Sequence, residues 1–158
     1  MTEPNWITAE LLHDVVAQAQ ASPRKRKNFN FHPTEDAMCH RLVNAMEPDS
    51  YIAPHRHLDP NKDETILLLH GRMGIVFFDE SGEVTEDAVL DLAGARLGVT
   101  IPVGVFHSLV AFEPGTIFFE SKAGPYRALS DGEKAPWAPR EGDATAVEYL
   151  SRLRSRFV

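Results

Sequence analysis

The chain has 158 residues, 43% hydrophobic and 25% charged, with a formal net charge of −7 and a single cysteine, Cys39. That length suits one domain with a substantial core. The balance argues against a disulfide scaffold, and against nucleic-acid or anionic-membrane partners, which reward a basic surface. No apolar run approaches the roughly 18 residues that a membrane helix needs. The start, Met1 to Trp6, carries neither a basic nor an apolar signal region, so a reducing cytoplasm is the expected setting.

In chain order, Leu11, Leu12, Val15, Val16 and Ala19 recur at helical spacing. Thr8 is the expected N-cap, with Ile7 and Leu12 placed for a hydrophobic staple, and Ser22-Pro23 should end the helix. The basic runs Arg24-Lys25-Arg26-Lys27 and Arg152, Arg154, Arg156 read as solvated helix ends or tails.

From Met38 to Ser121 short apolar stretches alternate with turn signals. The expected strands are His40–Met46, Tyr51–Pro54, Thr65–His70, Gly74–Phe78, Val84–Leu90, Gly98–Ile101, Phe106–Phe112 and Thr116–Ser121. Many short strands at near-regular spacing predict an all-β sandwich or barrel. Asp79-Glu80-Ser81-Gly82 should turn a hairpin. Ala135-Pro136-Trp137-Ala138-Pro139 reads as a connector whose Trp137 plugs the core, before a short helix with Val147, Leu150 and Leu153 at three-residue spacing. The expected organisation is one domain: an N-terminal helix and arm over 1–37, a barrel over 38–126, and a connector and helix over 127–158.

Three of the seven histidines stand out. His55 and His57 form a His-x-His pair at the end of a predicted strand, where alternate residues share a face. Glu64 opens the next strand, and His107 follows the tight turn Pro102-Val103-Gly104. Three imidazoles and one carboxylate make a mixed N/O site for one divalent transition metal, Fe, Zn, Ni, Mn or Cu, rather than Ca or Mg. A six-coordinate ion on four protein ligands keeps two positions for water, substrate or dioxygen, whereas a tetrahedral zinc would be saturated. His13, His32, His40 and His70 read as helix-surface, loop or strand-packing residues.

These residues match a family. His55-x-His57, then Glu64, six residues and Gly71, resembles the first motif of the cupin superfamily; Pro102-x-Gly104-x-x-His107 resembles the second. The resemblance implies a double-stranded β-helix, a jelly-roll-like barrel, with metal ligands at His55, His57, Glu64 and His107. The spacer from His57 to Glu64 is longer than usual, and Ala111 stands where many cupins have asparagine. A narrower likeness is to the WbuC family of cupin-fold metalloproteins, carried by Ser50–His57, Pro60-Asn61-Lys62-Asp63-Glu64, Ile101–Val110, Phe119–Tyr126, Ala135–Pro139, and the upstream Asn30-Phe31-His32 and Arg41. That family shares the longer spacer and is often encoded with surface-polysaccharide genes, which implies a sugar-related substrate. Family analogy also implies a homodimer.

Around the metal, Lys62 lies two residues before Glu64 and could hold an anionic substrate or supply a proton. Glu120, and Lys122 with the same parity, could point inward from the last strand. Tyr126 could bring its hydroxyl over the barrel mouth. Arg41, in an apolar strand, would need a partner if buried. The leading expectation is a metal-dependent enzyme acting on a sugar or other small polar metabolite by isomerisation or epimerisation, with Lys62, Glu120 and Tyr126 as reacting groups. The alternatives are an iron-dependent dioxygenase and a non-catalytic ligand-binding or structural barrel.

Overall fold

A computed structural model describes residues 3–157. Residues 1, 2 and 158, the ends of the expected N-terminal arm and C-terminal helix segment, lie outside the described residues. The order is α1 (Ala9–Ala21), β1 (Arg26–Asn30), β2 (Cys39–Met46), β3 (Glu64–His70), β4 (Arg72–Phe78), β5 (Val84–Asp91), β6 (Gly98–Ile101), β7 (Phe106–Ala111), β8 (Thr116–Ala123) and α2 (Ala146–Ser155).

Helix α1 begins as its sequence dictates. Thr8 is extended, and its hydroxyl accepts from the Leu11 amide at 3.1 Å. Ser22, before Pro23, leaves the helical conformation. Ile7 stays half exposed, while Leu12 packs against the core under the helix. Thr8→Ala should cost about 1 kcal/mol, read as a fall of about 2–4 °C in the thermal midpoint.

The strands form two antiparallel sheets, one of order β1-β2-β8-β3-β6 and one of order β5-β4-β7. The register puts the even-numbered residues of β2, β3 and β8 on one face of the larger sheet. Met46, Ile66, Leu68 and Phe118 from that face meet Met73, Ile75, Leu90, Leu109 and Ala111 from the smaller sheet, making the central core. On the outer face of the larger sheet, α1 packs Val15 and Ala19 on Val43, Ala45 and Ile117. On the outer face of the smaller sheet, α2 and the C-terminal connector cover Val76, Phe78, Phe106 and Val110. Strands β4 and β7 are therefore buried on both faces, which explains their near-continuous apolar runs.

Two expectations need correction. Arg26–Asn30 is an edge strand on β2, not a helix end or tail, and Arg26 is mostly buried, donating to Tyr51 O at 2.9 Å and to Glu141 at 2.6 Å. Tyr51–Pro54 forms no strand; pairing is confined to an isolated bridge at His55. In α2 the buried face is Ala146, Leu150 and Leu153, and Val147 is 78% exposed. Among the described residues no helix is long and apolar enough to cross a membrane.

Candidate metal centre

The expected ligands meet at one end of the space between the sheets. Glu64 opens β3 in the larger sheet, and His107 is the second residue of β7 in the smaller one. His55 and His57 lie on the β2–β3 connection, which is tied to β7 by reciprocal hydrogen bonds: the His55 amide donates to His107 O at 3.1 Å, and the His107 amide to His55 O at 2.9 Å. The Gly104 amide donates to His57 O at 2.7 Å, and Gly104 holds φ +82°, a conformation that suits glycine. From the other side Lys134 bridges to His55, and the Ala135 amide donates to Pro54 O at 3.1 Å. The two histidines converge through these ties rather than through the strand alternation expected of them.

One donor atom each from His55, His57 and Glu64 lies within 4.8 Å of the others. Glu64 Oε2 is 3.2 Å from His57 Nε2 and 3.4 Å from His107 Nε2. The His107 ring centroid is 4.6 Å from that of His55. The imidazole protons decide what this arrangement suits. His55 Nδ1 is 3.0 Å from Ala53 O, and His107 Nδ1 is 3.0 Å from Val105 O. A carbonyl oxygen only accepts, so both Nδ1 atoms carry the proton. In the neutral rings Nε2 is then a lone pair, the usual arrangement of a metal-ligating histidine. For His107 that lone pair faces a carboxylate oxygen, acceptor against acceptor, and a cation between them resolves the conflict. The donor set fits a transition metal.

Electrostatics point the same way. Burial and the neighbouring His107 push His55 down to about 3, favouring the neutral ring. Burial opposes ionisation of Glu64, but hydrogen bonds that His107 and His57 give it when Nε2 is protonated, and the ammonium of Lys122, outweigh burial and hold the carboxyl well below its ordinary value; a cation at the same point would take the place of those protons. Lys122 Nζ lies 3.7 Å from Glu64 Oε1 and 2.5 Å from Glu120 Oε1. Burial works against the Lys122 charge, yet these two carboxylates raise its pKa.

Glu120 is buried on the inner face of β8, and its Oε2 accepts from Asn44 at 3.0 Å. Burial, then the charge on Glu64, pushes Glu120 up to about 7. Glu120, Lys122, Glu64, His55 and His107 line an inner cavity of about 110 Å3. A second cavity of about 210 Å3 shares His55 and Lys122 with it and adds His57, Lys62, His40 and Tyr126. Lys62 is on a turn rather than on an extension of β3, its amide bonded to Asp59 O at 2.9 Å. Its side chain nonetheless reaches this cavity. Tyr126 sits at the cavity rim, 58% exposed. Arg41 is exposed and needs no buried partner. His40, read from sequence as strand packing, lines the cavity; it lies directly across from Lys122, and that parity was the available signal.

A protein-family profile described as "Domain of unknown function (DUF6016)" matches residues 7–90. No curated protein matches the chain in sequence. Among solved structures, a conserved protein of unknown function from Streptococcus pyogenes, SPY1581, superposes with a TM-score of 0.52 at 11% identity, covering 80% of this chain and 93% of that one. Protein SO0799 from Shewanella oneidensis gives a TM-score of 0.51 at 16% identity over 68% of this chain and 72% of its own. The 11S allergen from Cocos nucifera gives 0.51 at 16% identity, over 65% of this chain and 29% of that longer chain. At such identities the likeness shows the fold, and that fold is the cupin barrel.

Proposed function

The chain belongs to the DUF6016 family, whose description names no activity, and we propose that it holds one divalent transition metal on His55, His57, Glu64 and His107 and acts on a small polar metabolite of the sugar class. The observation that carries this reading is His107 Nε2 set 3.4 Å from the Glu64 carboxylate while Nδ1 of the same ring lies 3.0 Å from Val105 O, which leaves Nε2 of the neutral ring free to ligate. The likeness of the chain's motifs to the WbuC family supports a sugar.

A metal bound there would act as a Lewis acid on a carbonyl or hydroxyl oxygen. The protein's own groups supply the rest. Glu120, beside the ligands and steadied by Asn44 and Lys122, takes a proton from a carbon next to that oxygen and returns it at the same or the neighbouring carbon. Lys122 stays charged beside both carboxylates and steadies negative charge that builds on the substrate. The result is an isomerisation or epimerisation. Tyr126, at the rim, orients the substrate hydroxyls.

The test begins with elemental analysis of protein purified without added metal. The expected result is one transition-metal ion per chain. Metal-loaded protein is then incubated with simple and nucleotide sugars in deuterated water, and isotope uptake at carbon is followed by NMR. Glu120→Gln should cut that exchange by about 100-fold or more and leave metal content intact. Metal content near zero, or exchange untouched by Glu120→Gln, sinks the proposal. Iron together with oxygen uptake would move the reading to the dioxygenase alternative.

A further inference from the structure

The outer of the two cavities carries two cations, Lys62 and Arg127, that the metal chemistry does not use. Lys62, Lys122, Arg127, His40 and Tyr126 contribute to its wall, and among the described residues no carboxylate does. This is a cationic pocket on a chain of net charge −7. Lys122 already has its counter-charges in Glu64 and Glu120. Lys62 does not. It is only 8% exposed, and its ammonium has one hydrogen bond, to Pro125 O at 3.1 Å, with no carboxylate in ion-pairing distance among the described residues. An ammonium has three donors, so two are left for something else. A buried cation without a counter-charge is costly, and buried charges are ordinarily paired or bound to a ligand.

The chain is built to keep Lys62 there. The turn Asp59-Pro60-Asn61 is closed by the Asp59 carboxylate accepting from the Asn61 amide at 3.0 Å and by Asp59 O accepting from the Lys62 amide. This is the long spacer between His57 and Glu64, so the extra chain carries a cation into the site. The Pro125 carbonyl that holds the ammonium is itself placed by a close approach. A Cβ on Gly124 would stand 1.7 Å from Ala37 O and 2.8 Å from the His40 ring, so only glycine lets the β8 exit pass so near the arm.

We infer that this cavity is an anion-binding subsite: it takes the carboxylate or phosphate group of a small metabolite on Lys62 and Arg127, with the rest of the molecule lying toward His55. This deepens the reading of the preceding section by naming the substrate as a sugar acid or sugar phosphate, and it rests on that reading for where the neutral end goes. A volume of about 210 Å3 suits a small metabolite. Arg127 is exposed at the mouth and recruits the anion; Lys62, buried, fixes it.

Calorimetric titration of the full chain tests this, with and without bound metal. The probes are inorganic phosphate, acetate, and the matched set glucose, glucuronate and glucose 6-phosphate. At least one anionic sugar should bind about tenfold or more tighter than glucose, and phosphate against acetate shows which anion the pocket prefers. Lys62→Gln should weaken anion binding by about tenfold or more, with metal content and thermal midpoint near those of the parent chain. Lys62→Arg should restore most of the affinity, and it keeps the test open if Lys62→Gln folds poorly. Arg127→Gln should weaken binding less. Anion binding unchanged in Lys62→Gln would place the anion on the metal and overturn the inference. So would equal affinity for glucose and its charged counterparts, or no binding of any anion to protein that holds its metal. Loss of metal alone, with Lys62-dependent phosphate binding kept in the metal-free chain, would fault the metal reading and leave this one standing.

Discussion

His107→Ala is expected to strip the metal from the protein, taking the content measured by elemental analysis from one ion per chain toward none. The same variant should lose the stabilisation that added metal confers. At a free concentration about 100 times its dissociation constant, a ligand that binds only the folded state contributes about 2.7 kcal/mol, which for a chain of this size is a rise of about 5–10 °C in the thermal midpoint. Glu64→Gln separates a metal site from an ordinary buried ion pair. If His107 Nε2 is a lone pair, as its Nδ1 contact with Val105 O requires of the neutral ring, the metal-free protein sets two acceptors against each other. An amide at position 64 offers a donor to that nitrogen and removes a buried charge. Glu64→Gln should then change the stability of the metal-free protein by no more than about 1 kcal/mol, the relieved acceptor contact with His107 offsetting the counter-charge lost to Lys122, while metal affinity falls sharply. A metal-free Glu64→Gln protein that is clearly less stable than its parent would mean that His107 carries a proton on both nitrogens and that Glu64 is its counter-ion.

The parts of this site that were readable in the sequence are those set by short-range rules. β3 alternates between buried and exposed residues because one face meets the core, and the even-numbered residues of β3 and β8, which share that face, include Glu64 and Glu120. His107 follows a turn whose glycine has the positive φ that the Pro-x-Gly spacing suggests. What stayed hidden depends on long-range contacts. Arg26–Asn30 offers a single apolar residue, Phe29, to the core under α1, while its other face lines a polar groove with Glu120 and Lys122 and its outer edge is free, so basic composition masked a strand. Tyr51–Pro54 has strand-forming residues, but its neighbours let the backbone pair only at His55, where β7 and the connector both reach it. Val147 follows the same helical spacing as Leu150 and Leu153, and which side of that stripe is buried depends on the tilt of α2 against the smaller sheet. Lys62 and His40 were obscured because a turn lysine and a strand histidine are usually unremarkable; only the fold shows that both border one cavity.

Trp137→Ala is the second substitution with a large expected effect, and it reaches the metal centre indirectly. Trp137 packs on Phe78 and Phe106 at ring-centroid distances of 5.0 and 5.7 Å, and its indole lies so close to Gly82 that a Cβ there would stand 2.6 Å away. Gly82 also holds φ +92°, so the β4–β5 hairpin turn and the seat of the indole depend on the same residue. Losing the indole should cost about 3 kcal/mol, the low end for such truncations because the ring keeps some exposure. That is a fall of about 6–12 °C in the thermal midpoint. The ring also anchors the connector that holds His55 through Lys134 and Pro54 through Ala135. Metal affinity should therefore fall along with stability. Trp137→Phe distinguishes packing from polarity. The buried indole Nε1 has no hydrogen-bond partner, so phenylalanine keeps most of the contact and removes an unsatisfied donor worth about 1–3 kcal/mol. Its loss of stability should be well under half that of Trp137→Ala, with metal affinity near the parent value. Should Trp137→Ala lower the midpoint while leaving metal affinity unchanged, the connector does not position His55, and the ties from β7 alone hold that ligand.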